Sequence, residues 1–131
     1  MQEPHVAAVL VVDDNEDIRD ELCRIFSDGD FRVCAKASNG KEAIEIARQT
    51  RPQLIILDMS MPVMNGLEAA PELRKLLPGT PIILYTAFAD SLAATNFRDQ
   101  GISLVLSKNE PPEGLIAAAR RLLHTQSMAA Y

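Results

Sequence analysis

Short apolar runs alternate with helix-patterned stretches five times along this chain, and that alternation restricts the fold more than any other feature. The runs lie at residues 7–12, 31–37, 54–57, 82–86 and 102–107. They are too short for globular helices, and their apolar character is nearly continuous, as in strands buried on both faces. Between them the spacing changes. Ile18, Leu22, Ile25 and Phe26 form one helical stripe behind the capping residues Asn15 and Asp17. Asn39-Gly40-Lys41-Glu42 has capping-box spacing before Ala43, Ile44 and Ala47, and Arg51-Pro52 stops that helix. A third helix is predicted over roughly 65–77, with Pro71 inside the pattern. A fourth is predicted from Asp90 to near Gly101. A fifth is opened by Pro111-Pro112 and carries Leu115, Ala118, Ala119 and Leu122 on one face. Strands joined by single helices imply an α/β, doubly wound parallel sheet with helices on both sides.

A chain of 131 residues with 47% hydrophobic content suits one domain with one core, taken here as residues 1–124 with a frayed tail at 125–131. The net charge of −5 disfavours direct nucleic-acid binding. The apolar runs are too short to cross a membrane, and residues 1–5 lack the positive flank of a signal peptide. Cys23 and Cys34 have no metal-type spacing and read as reduced thiols of a cytoplasmic protein. Met59, Met61 and Met64 read as packing residues, and so do Phe88 and Phe97.

In doubly wound sheets the ligand site lies beyond the carboxyl ends of the strands. Asp13 and Asp14 follow the first run, Asp58 the third and Lys108 the fifth, while Thr86 ends the fourth. Three carboxylates gathered at one edge repel each other, by ~4 kcal/mol per pair at ~4 Å and an effective dielectric of ~20. A lysine or a metal must offset that cost. An oxygen-only donor set suits Mg²⁺, or Mn²⁺, better than zinc. A carboxylate can also attack phosphorus, given a cation, a hydroxyl and a lysine to hold the phosphoryl oxygens. Two other readings share this fold class. A nucleotide or flavin binder needs a glycine-rich loop after the first strand, where this chain has Asp13-Asp14-Asn15-Glu16-Asp17. An aspartyl-phosphate hydrolase wants a second acid two residues after the nucleophile, where Ser60 stands.

Asp13-Asp14, Asp58 with Met61-Pro62-Val63-Met64-Asn65-Gly66, Thr86-Ala87 and Lys108 together resemble the receiver domain of two-component response regulators, over about residues 7–124. The resemblance implies a flavodoxin-like sheet of order 2-1-3-4-5 with five helices. It implies a phosphoacceptor signalling domain rather than a free-standing enzyme, with Asp58 the modified residue. Asp14, Asp58 and the Ser60 carbonyl would ligate Mg²⁺, with Asp13 acting through a water. Lys108 would pair with the carboxylate and then with the phosphoryl group, toward which Thr86 would move. The implied partners are a sensor histidine kinase or phosphotransfer protein, and a second copy met through the face of helix four, strand five and helix five. A degenerate receiver that binds partners without phosphorylation would lack Asp58 or Lys108, and both are present. The chain departs from the family pattern at Val105, where an aromatic is usual, at Asn109, where proline is usual, and at Pro71.

Overall fold

A computed structural model of the chain describes residues 6–27, 29–89 and 97–129. Five parallel strands form one sheet in the order β2-β1-β3-β4-β5. They are β1 (Ala7–Val12), β2 (Phe31–Ala37), β3 (Leu54–Leu57), β4 (Ile82–Thr86) and β5 (Leu104–Ser107). Four α-helices are described: α1 (Glu16–Ile25), α2 (Gly40–Thr50), α3 (Gly66–Leu76) and α4 (Glu113–Ala129).

The apolar runs are explained by the two faces of the sheet. Leu10, Val12, Ile55, Leu57, Ile82 and Leu84 pack with α2 and α3 residues such as Ala43, Ala47, Ala69 and Leu73. Val9, Val11, Leu54, Ile56, Ile83 and Tyr85 pack on the other side with Leu22, Phe26, Leu115 and Ala119. Successive residues point to opposite faces, and in β1, β3 and β4 both faces are covered, so no polar alternation survives there; the edge strand β2 keeps Arg32 and Lys36 exposed. Each fully buried Leu or Ile contributes about 1.5–3 kcal/mol.

Local chemistry sets the helix starts. The Asn15 side chain accepts from the Ile18 N–H at 3.1 Å and caps α1. Asn39 accepts from the Glu42 N–H at 2.8 Å, but Glu42 reaches back to the N–H of Ser38, so the box is not closed on its own cap. The reciprocal box occurs at α3 instead, between Asn65 and Glu68. Pro71 lies inside α3 and neither ends it nor forms its first turn.

α4 runs on to Ala129, with no helix breaker after Gly114. One expectation is corrected, the start of the last strand. The last strand begins at Leu104, and Ile102 is buried just ahead of it. The helix expected from Asp90 falls largely on residues 90–96, outside the described residues. Its far end, Phe97–Gln100, is a 3₁₀ turn.

Candidate functional site

The sheet register brings the acids together. Val12 pairs with Leu57, so Asp13 and Asp58 leave adjacent strands side by side. The Asp58 N–H donates to the Val12 carbonyl at 2.9 Å, and the Asp13 N–H donates to Ala37 at 3.0 Å. Carboxylate oxygens of Asp13, Asp14 and Asp58 all lie within 4.8 Å of one another. Asp13 and Asp58 are buried, while Asp14 is exposed.

Lys108 comes from the far edge of the sheet. Thr86 pairs with Ser107, and the Lys108 N–H donates to the Thr86 carbonyl at 3.0 Å. The lysine side chain, 16% exposed, donates to Asp13 Oδ2 at 2.7 Å and to Asp58 Oδ1 at 3.1 Å. The second oxygen of Asp13 accepts from the Asn15 N–H at 2.9 Å. The Lys108 ammonium bonds only two of the three carboxylates, and negative charge stays in excess, in a ligand set with no sulfur or nitrogen donor. A hard divalent cation fits that donor set and that charge.

The titration of these groups reflects the imbalance. Burial, then repulsion from Asp13, raises the Asp58 carboxyl above the ordinary aspartate range; Lys108 only partly offsets this. Burial alone would lower the lysine, but its hydrogen bond to Asp13 and the charges of Asp13 and Asp58 hold it above its usual value. The lysine thus serves Asp13 more closely than Asp58. Tyr85, one residue before Thr86, is raised by burial and by Glu21.

The loop after Asp58 is folded tightly around it. The Gly66 N–H donates to Met59 at 2.9 Å, and a Cβ on Gly66 would run into the Asp58 carbonyl. The Met64 N–H donates to the Pro62 carbonyl at 2.7 Å, closing a three-residue turn centred on Val63 at φ 69°. This is a γ-turn in its rarer positive-φ form, adopted by a β-branched residue that is 76% exposed. The Gly40 N–H, at the start of α2, then donates to the Met64 carbonyl at 2.9 Å.

Thr86 is fully buried at the end of β4, and its hydroxyl accepts from the Phe88 N–H at 3.0 Å. Ser60 is exposed on the loop. Phe97 packs against the core as expected, but Phe88 is 52% exposed and does not. Val105 is half-buried against the core. Asn109 donates its side-chain amide to the Ala87 carbonyl at 3.4 Å. Sequence reasoning missed Arg19, whose guanidinium donates to the Asp13 carbonyl at 2.8 Å. It also missed that Gly66 lies against the Asp58 backbone, where the signal was the glycine itself, at a point of close backbone approach.

Comparison with known proteins gives a consistent family. The family model described as the response regulator receiver domain matches residues 9–120. A response regulator receiver protein of Anaeromyxobacter sp. (strain Fw109-5) is 41% identical over 99 residues, covering 76% of this chain and 41% of that protein. A protein-glutamate methylesterase/protein-glutamine glutaminase of Hahella chejuensis (strain KCTC 2396) is 39% identical over 107 residues, covering 79% of this chain and 30% of that one. The crystal structure of the response regulator domain of Thermotoga maritima CheB matches with a TM-score of 0.84 at 29% identity, covering 92% of this chain and 98% of that chain. The chain spans less than half the length of these two relatives.

Proposed function

The chain belongs to the response regulator receiver domain family, and from that premise we propose that Asp58 is its phosphoryl acceptor, served by a cation at Asp13 and Asp14. The observation that carries this reading is the Lys108 ammonium bridging two buried carboxylates, with a third within 4.8 Å. The donor is a phosphohistidine on a sensor histidine kinase or phosphotransfer protein. An Asp58 carboxylate oxygen forms the new O–P bond while the P–N bond of the donor breaks, its electron pair returning to the imidazole. Asp13, Asp14, Asp58 and the carbonyl of Ser60 are the residues that would hold Mg²⁺ or Mn²⁺. When bound, the ion neutralises phosphoryl oxygens and draws donor and acceptor together.

The chain's own residues do the remainder. Lys108 holds Asp58 Oδ1 before transfer and moves to a phosphoryl oxygen after it. Thr86 exchanges its bond from the Phe88 N–H for one to the phosphoryl group, pulling on the loop after β4. With Val105 in place of an aromatic, that pull is read through the loop rather than through a ring rotating beside β5. The output is signalling within a two-component phosphorelay in the cytoplasm, and no described helix is long and apolar enough to cross a membrane. A second copy docking over β5 and its flanking helices is a further partner; part of that face falls on residues 90–96, outside the described residues.

The site is tested by trapping. Borohydride reduces an aspartyl phosphate to the alcohol, so the protein is treated with acetyl phosphate and Mg²⁺, reduced, digested and mapped by mass. Homoserine at position 58 is expected. Modification at Asp13 or Asp14 instead would overturn the assignment.

A further inference from the structure

We propose that Arg19 is a positioning residue for the cation site, holding the Asp13–Asp14 peptide so that the exposed Asp14 carboxylate is delivered to the ion. The inference rests on the reading of Asp13, Asp14 and Asp58 as the cation ligands.

Asp13 is fixed at four points. Its N–H donates to Ala37, its Oδ1 accepts from the Asn15 N–H, its Oδ2 accepts from Lys108, and its carbonyl accepts from Arg19. The first three fix the strand end and the side chain. Only the Arg19 bond acts on the peptide that leads to Asp14. That peptide is planar, so holding the carbonyl oxygen also sets the direction of the Asp14 N–H and the start of its side chain. Asp14 needs such help because it is exposed. Arg19 is well suited to give it. It sits in the first turn of α1, where its own N–H donates to the Asn15 carbonyl at 3.0 Å, and its half-buried side chain folds back over the loop. A guanidinium-to-carbonyl bond at 2.8 Å is charge-assisted.

The geometry and the charge of Arg19 act on the ion in opposite directions, which makes the proposal decidable. A bystander cation beside three carboxylates would only repel Mg²⁺, and removing it would tighten binding. A positioning residue, once removed, weakens binding.

The experiment is a Mg²⁺ titration of wild type, Arg19→Met and Arg19→Lys by calorimetry, with backbone amide shifts of Asp13, Asp14 and Asn15 and thermal unfolding without metal in parallel. Arg19→Met is expected to weaken Mg²⁺ binding about fivefold to tenfold, the effect of losing part of one charge-assisted hydrogen bond. Its Asp14 amide shifts in the metal-free protein. Arg19→Lys, which keeps the charge and a donor, recovers part of the loss. Mg²⁺ binding by Arg19→Met that equals or exceeds wild type would overturn the proposal while leaving the proposed function standing. A loss of affinity no larger than the loss of folded population would also overturn it. Failure of wild type itself to bind Mg²⁺ would remove the proposed function and this inference together.

Discussion

Replacing Asp58 by asparagine should make the metal-free protein more stable at neutral pH. Asp13 and Asp14 each place a carboxylate oxygen within 4.8 Å of Asp58. At that separation and an effective dielectric of ~20, a like charge repels by about 3.5 kcal/mol. Asp14 is exposed, so only a fraction of its share survives solvent screening. Lys108 at 3.1 Å attracts by about 5 kcal/mol on the same scale. Those contributions nearly cancel, and the cost of burying the charge remains, since Asp58 is 5% exposed. Asp58→Asn keeps the shape and an acceptor for Lys108, so it should gain on the order of 1–2 kcal/mol. That corresponds to a rise in Tm of roughly 3–8 °C for a chain of this size. The sign with pH follows from the raised Asp58 carboxyl. A carboxyl whose pKa is higher folded than unfolded destabilises the fold when ionised. The advantage of the variant is therefore present at neutral pH and disappears as pH falls through the raised pKa, where wild type takes up its proton. Urea unfolding followed by circular dichroism, in a chelator and at several pH values, measures this. Saturating Mg²⁺ should reverse the order, because the ion stabilises the protein that binds it better. An Asp58→Asn protein no more stable than wild type at neutral pH without metal would refute the reasoning.

Lys108→Ala leaves two buried carboxylates without their cation and should cost about 3 kcal/mol without metal; Mg²⁺ should restore part of it in the same unfolding assay. Gly66→Ala places a methyl group 3.0 Å from the Asp58 carbonyl carbon and 3.0 Å from Leu84 Cδ1. It should lose about 2 kcal/mol and shift the Asp58 amide resonance. Val63→Gly relieves the positive-φ strain of an exposed residue and should add about 1 kcal/mol, read as a higher urea midpoint with an unchanged slope.

The strands and the polar edge were legible because burial on both faces leaves a mark that no helix leaves. Ile55 and Ile56 face opposite sides of the sheet, yet both are apolar. The ends of those runs then placed Asp13, Asp58, Thr86 and Lys108 at one edge before any contact was known. Features made by side chains folding back on the main chain were not legible. Arg19 could have been any exposed arginine on a polar helix face, since nothing in its spacing says that it turns toward Asp13. Glu42 had the spacing of a closed box but bonded Ser38, one residue earlier, because spacing fixes reach and not partner. The γ-turn at Val63 was hidden for the opposite reason. A valine is the residue least expected at positive φ, so propensity pointed away from it. Phe88 was assigned to the core by its chemistry, but β4 ends at Thr86, and the chain beyond it turns outward.

The central claim is that Asp58 accepts a phosphoryl group in a cation-dependent reaction. Its most direct test is the intact mass of wild type and Asp58→Asn after incubation with acetyl phosphate, each with Mg²⁺ and with a chelator. Wild type with Mg²⁺ should gain the mass of one phosphoryl group, and the other three samples should gain none. Equal labelling of Asp58→Asn, or labelling of wild type that ignores the chelator, would contradict the account.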